Sequence, residues 1–141
     1  GSFQWFVDAD HRQHYFTIHE EFAEHHEQLR QIAVLDVLAN NTDRKSGHCL
    51  LAHGRVWAID NGLCFSAPFK LRTVIWEFAG EPIDHELLSR VARIADRVPI
   101  EIAALLDDDE ISALQYRAAA LVNEGVFPTD HSGHRYPWPL V

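Results

Sequence analysis

The stretch from Asp36 to Phe65 reads DVLANNTDRKSGHCLLAHGRVWAIDNGLCF and carries the chain's most suggestive chemistry. Carboxylates stand on both sides of two short apolar runs, with Asp43 before them and Asp60 after them. Phosphoryl transfer asks for one acid to orient the attacking hydroxyl, and for a second acid with a nearby neutral ligand to hold a divalent cation on nucleotide phosphates. A loop, hairpin, loop segment supplies such a set if the hairpin folds its ends together. Asp43 then takes the first role, and His48 and Asp60 converge as metal ligands. Asp36 reads as a structural acceptor for loop amides, and Asn40 and Asn41 as turn formers.

The elements that must position these residues follow from periodicity. Cys49 to Ala52 and Val56 to Ile59, separated by His53-Gly54-Arg55, predict an antiparallel hairpin. Upstream, Glu20 to Ala39 has Phe22, Leu29, Ile32 and Ala33 at helical spacing and a nearly all-apolar second half, so it predicts a helix buried at its end. Phe3 to Val7 and His14 to His19 alternate and predict two short strands around the turn at Asp8 to Gln13. Downstream, Leu71 to Ala79 is expected to be helical up to Gly80, and Asp84 to Val98 helical up to Pro99. A last helix is capped by Asp107 or Asp108 and closed by Gly125. The tail with Pro128, Pro137 and Pro139 cannot continue a helix.

Composition narrows the class. With 141 residues and 47% hydrophobic content, the chain predicts one globular unit over 1–141, of α+β class, mainly helical with a small antiparallel hairpin. Twelve Lys and Arg against 21 Asp and Glu give a formal charge of −9. That balance opposes the phosphate-backbone electrostatics of nucleic-acid binders. No apolar run approaches the ~20 residues of a bilayer span, so no transmembrane segment is expected. Two cysteines, Cys49 and Cys64, have neither zinc-site spacing nor disulfide density, and reduced thiols with a cytoplasmic location are the expectation. His25 and His26 read as solvated on a polar helical region.

Two ordered runs resemble the phosphatidylinositol 3- and 4-kinases. Asp43-Arg44-Lys45-Ser46-Gly47-His48 is similar to their DRxxxN loop, and Ile59-Asp60-Asn61-Gly62 to their ID-x-G metal loop. The runs Asn41 to Arg44 (NTDR) and Ala58 to Leu63 (AIDNGL) look most like the type II phosphatidylinositol 4-kinases. The wider pattern of Lys70-Leu71-Arg72-Thr73, Trp76, Phe127-Pro128 and Pro137-Trp138-Pro139 resembles a group of short bacterial proteins related to those kinases, over nearly the whole chain.

The resemblance implies a kinase-like C-terminal catalytic lobe. It makes Asp43 the catalytic aspartate and Arg44 the arginine that stabilises its loop; Lys45, in the same catalytic loop, stands where the phosphatidylinositol 3-kinases have histidine and either contacts phosphate or lies in solvent. Asp60 becomes the metal-binding aspartate, with Asn41, Asn61 and Gly62 on the nucleotide side. The implied cofactor is ATP with magnesium or manganese, and the implied partner is a hydroxyl acceptor of unspecified class: lipid, small molecule or protein. His48 departs from the pattern, standing where the lipid kinases have asparagine; it offers nitrogen where magnesium prefers oxygen.

Kinases also need a strand lysine and a flexible loop over the phosphates. The only lysines here are Lys45 and Lys70, and no glycine lies between Gly1 and Gly47. An N-terminal nucleotide-clamping lobe is therefore expected to be missing from these residues, with negligible transfer by the chain alone. Removal of such a lobe would expose an apolar face and favour a homodimer. Two rival readings keep the same residues: a pseudokinase or interaction module using the Trp138 tail, and a metal-dependent phosphohydrolase built on Asp43, His48 and Asp60.

Overall fold

A computed structural model describes residues 3–141. Its elements are α1 (Tyr15–Glu21), α2 (His26–Ala39), β1 (Cys49–Ala52), β2 (Arg55–Ala58), α3 (His85–Asp96), α4 (Ile100–Ala103) and α5 (Asp108–Glu124), an α+β fold with one two-stranded antiparallel sheet among the described residues. Single 3₁₀ turns at Ala23–His25 and Ser46–His48 precede α2 and β1.

Helix α2 runs through the main apolar cluster. Its Leu29, Ile32, Ala33 and Val37 are buried together with Tyr15 and Ile18 of α1, Val91 of α3, and Leu114, Ala118 and Leu121 of α5. Helices α3 and α5 pack against each other, which the matched stripes of Leu87, Leu88, Val91 and Ile94 and of Leu114, Ala118 and Leu121 require. Local chemistry sets the ends of both. The Asp84 carboxylate accepts from the Glu86 and Leu87 amides at 2.9 and 3.2 Å. Asp107 and Glu110 cap each other's backbone at 2.8 and 2.9 Å, and Gly125 closes α5 at φ 67°.

Four sequence expectations change. Residues His14 to His19 do not pair with Phe3 to Val7 as strands. Tyr15 to Glu21 form α1, because Thr17 Oγ1 accepts from the His14 amide at 3.0 Å and Tyr15 and Ile18, three apart, both reach the core. The helix expected from Glu20 breaks at Phe22 (φ −128°, ψ 71°) and resumes at His26. Leu71 to Ala79 is not helical: the Arg44 amide donates to Arg72 O at 3.1 Å and the Val74 amide to Arg44 O at 3.1 Å, so the segment runs parallel to the loop after α2. His26 also differs from expectation, since its ring stacks on His19 with centroids 4.6 Å apart.

The hairpin and the tail complete the frame. His53 and Gly54 both take positive φ, 52° and 71°, which gives a two-residue turn whose twist matches the flanking strands. The C-terminal tail is irregular, as its prolines require, yet it is anchored at two points. Arg135 O accepts from the Thr73 amide at 3.0 Å, and Leu140 O accepts from the Ser46 amide at 2.8 Å.

Candidate functional site

The site begins at the C-terminus of α2. Asn40 adopts the left-handed conformation (φ 52°), the Asn40 amide donates to Val37 O, and the Asn41 amide donates to Asp36 O at 2.9 Å. This paired closure satisfies the last carbonyls of the helix and turns the chain sharply. Asparagine tolerates that conformation better than most residues, and here its side chain adds more. Asn40 Nδ2 donates to Ser66 O at 2.7 Å and Pro68 O at 2.8 Å, while Oδ1 accepts from the Lys70 amide at 2.9 Å. One buried residue thus ends the helix and holds the 66–70 segment beside it.

Beneath the loop lies a buried ion pair. Asp36 and Arg44 are both 0% exposed, with Arg44 Nη2 3.0 Å from Asp36 Oδ1 and Arg44 Nε 3.1 Å from each carboxylate oxygen. Asn41 Nδ2 and Thr73 Oγ1 also donate to Asp36, at 3.1 and 3.2 Å. The rest of the guanidinium reaches across to the far side of the hairpin, donating to Ile59 O at 2.8 Å and to Asn61 Oδ1. Arg44 therefore ties α2, the loop and the Ile59–Asn61 segment into one unit. Burial pushes the Asp36 carboxyl up, opposed by Arg44, Asn41 and Thr73. Burial also works against the Arg44 charge, but the Asp36 carboxylate more than offsets it and holds the guanidinium above its ordinary value.

The outer side of the loop is arranged differently. The hairpin pairs Cys49 with Ala58, and the Ile59 amide donates to His48 O at 3.0 Å, so the flanking residues are forced together. His48 Nε2 lies 3.5 Å from Asp60 Oδ2, with side-chain exposures of 15% and 67%. His48 Nδ1 lies 2.9 Å from Asp43 O and also accepts from the Lys45 amide at 3.3 Å, so two contacts compete for one ring nitrogen; the tautomer that donates to Asp43 O is the one that leaves Nε2 open to a metal. Asp60 holds φ 53°, an uncommon conformation for a residue with a side chain, and its amide donates to Gln4 Oε1 at 3.1 Å. Asp43 is partly exposed, its amide held by Asn41 Oδ1 at 3.0 Å and its carboxylate 3.7 Å from Lys45 Nζ.

The sequence-derived residues thus fall into two sets. Asp43, Lys45, His48 and Asp60 present polar atoms at the open end of the hairpin. Asn41 and Arg44, expected on the nucleotide side and in the catalytic loop, have their side chains buried and spent on the scaffold, and Asn61 gives its carbonyl oxygen to Arg44. Gly62 lies beyond them, exposed and with open space where a side chain would begin. Asp36 is structural, as read, but its partners are side chains and not loop amides. Sequence reasoning missed Thr73, whose hydroxyl completes the Asp36 shell, and Gln4, which touches the Asp60 amide from 56 residues away. Neither has a local signal, because both contacts depend on long-range folding.

A metal held by His48 and Asp60 would find suitable donors there. Two ligands on adjacent positions of one ion, each about 2.1 Å from it, lie roughly 3.0 to 3.4 Å apart, close to the separation seen. Among the described residues no group of three or more His, Cys, Asp or Glu is placed to hold a metal. The three-ligand centre of the phosphohydrolase reading is therefore not formed, since the Asp43 carboxylate faces Lys45.

Against known proteins, the chain is 44% identical over 116 residues to protein Rv2133c of Mycobacterium tuberculosis (strain ATCC 25618 / H37Rv), a match covering 79% of this chain and 42% of that protein. The chain thus spans less than half the length of that relative. No family model matches the chain. No solved structure matches it either. Among the described residues, no helix is long and apolar enough to cross a membrane.

Proposed function

We propose that the open end of the hairpin is the metal and phosphate face of an ATP-dependent phosphotransferase, a kinase-like catalytic lobe. The observation that carries this reading is the approach of His48 Nε2 to Asp60 Oδ2 at 3.5 Å beside the Asp43 loop. Two protein donors suit an ion that takes its remaining ligands from nucleotide phosphates and water, which is how magnesium is usually held in phosphoryl-transfer sites. The bound cation would neutralise charge on those phosphates. His48 contributes nitrogen to the pair, which a divalent transition ion such as manganese accepts more readily than magnesium does.

Within that reading, Asp43 accepts the proton of the acceptor hydroxyl and orients it for attack. Lys45, 3.7 Å from Asp43, offers a positive charge to a phosphate oxygen. Arg44 and Asn41 act as positioning residues, fixing the loop without touching the reacting atoms. Since Lys45 and Lys70 are the chain's only lysines, clamping of the phosphates by a strand lysine is assigned to sequence outside these residues.

The test is calorimetric titration of ATP with manganese or magnesium into the natural full-length gene product and its Asp60→Asn variant. The expected result is metal-dependent nucleotide binding, tighter with manganese, weakened roughly tenfold or more by Asp60→Asn. Nucleotide binding that ignores the metal and the substitution, or no binding by the full-length protein, overturns the assignment and leaves the loop as a scaffold for an interaction module.

A further inference from the structure

On the face of α5 lies a groove of about 860 Å³. Its wall is largely apolar and includes Val37 of α2, Tyr116 and Leu121 of α5, and Phe127. A volume of this size falls within the range of small-ligand pockets, which bind an apolar body through shape and orient it with few polar groups.

One polar group in this wall is unusual. Arg117 is only 6% exposed, and its Nε donates to Leu38 O at 2.9 Å while Nη1 lies 3.5 Å from Ser66 O. Its Nη2 is buried without any partner. No carboxylate forms an ion pair with Arg117 among the described residues; the six ion pairs found there lie elsewhere. A buried cation balanced only by carbonyl dipoles is expensive, and burial pushes its proton affinity below the ordinary guanidinium value. An unmet donor on a buried charge, in the wall of an apolar groove, calls for an anion.

We propose that this groove binds an amphipathic carboxylate, an aliphatic chain lying along Tyr116, Leu121 and Phe127 with its head group on Arg117 Nη2. A monoanion fits better than a phosphate dianion because a single nitrogen is free and Glu124 stands on the groove's lining. A peptide fits less well, since its amides would find few partners in an apolar wall. Nη2 is closed to water, so its contact with a head group requires the side chains around the guanidinium to move aside.

The experiment follows amide and Arg117 Nε–H NMR signals during titration with octanoate, with 1-octanol as a neutral probe of equal length. Octanoate is expected to bind saturably and 1-octanol roughly tenfold more weakly or worse, the loss of one charge-assisted contact. Arg117→Gln should equalise the two ligands. Because that change also removes the Leu38 contact, Ala120→Trp provides a second arm: it fills the groove from an exposed position on α5 and leaves Arg117 intact. It should abolish octanoate binding while the fold, read from the remaining spectrum, persists. Equal affinity for octanoate and 1-octanol in the parent protein, undiminished binding by Ala120→Trp, or no saturable shift would each overturn the proposal.

Discussion

The two sides of the Asp43 loop differ in how completely their polar groups are used. On the inner side, Asp36 accepts from Arg44, Asn41 and Thr73, Asn40 satisfies three backbone groups, and all five residues are sealed from solvent. On the outer side, Asp43, Lys45, His48 and Asp60 sit at 3.5 to 3.7 Å from one another in pairs, partly or largely exposed, with hydrogen-bonding capacity to spare. A saturated buried network specifies one geometry, because each unmet group would be heavily penalised. An unsaturated surface can accept a ligand. The contrast is what a binding site on a rigid support requires.

The comparison breaks most severely if the inner pair is opened. Asp36→Ala leaves Arg44 charged, buried and deprived of its carboxylate, and removal of one partner from a buried pair costs about 3–5 kcal/mol. Denaturant unfolding should show that loss, a large share of the stability of a domain this size. Asp36→Leu combined with Arg44→Met removes both charges and should lose much less than the two single changes added together. Full additivity would mean that the two side chains stabilise the fold independently and that the inner side is not a coupled unit.

A smaller effect, of opposite sign, is expected on the outer side. Asp60 occupies a left-handed backbone conformation at φ 53° with its side chain largely in water. Glycine takes this conformation without the penalty of about 1 kcal/mol borne by residues with a side chain. Asp60→Gly should therefore raise stability by up to about 1 kcal/mol, less the entropy glycine adds to the unfolded chain. The same change should remove metal-dependent nucleotide binding. Stability and binding moving in opposite directions would mark Asp60 as a residue kept for what it binds; a loss of stability would show that its contacts with His48 support the fold.

How much of this was legible in the sequence depended on range. Asp107 with Glu110, Gly125, and the His53-Gly54 turn were readable because capping and turn chemistry act within a few residues. The meeting of His48 and Asp60 was readable for the same reason, since a tight hairpin of two four-residue strands leaves its flanks no alternative. The Leu71–Ala79 segment was misread because its apolar residues suit a helix, whereas its conformation is set by backbone pairing of Arg72 and Val74 to Arg44, on the far side of the hairpin. His14–His19 was misread because aromatic and β-branched residues favour strands, and burial at three-residue spacing overrode that preference. Arg44 was recognisable as a loop stabiliser only through resemblance; nothing local distinguishes it from an exposed arginine.

The smallest effect tests whether the tail belongs to the inner, saturated side. The Asp130 carboxylate accepts from Ser132 Oγ at 2.6 Å and from the Ser132 and Arg135 amides at 2.9 and 3.0 Å, and these bonds hold its pKa down at about 2. The turn they form presents Arg135 O to the Thr73 amide, next to the hydroxyl that donates to Asp36. A carboxyl with a depressed native pKa binds fewer protons folded than unfolded between about 2 and the ordinary value of 3.8. Its stabilisation is therefore present above that window and is lost as pH falls through it. Asp130 is only partly buried, so the change is small and is best read locally, as faster exchange of the Thr73 and Arg135 amides on acidification. Asp130→Asn should flatten that response. If Thr73 exchange is unchanged by either acid or substitution, the tail lies on the scaffold without holding it, and the rigid side of the loop ends at Thr73.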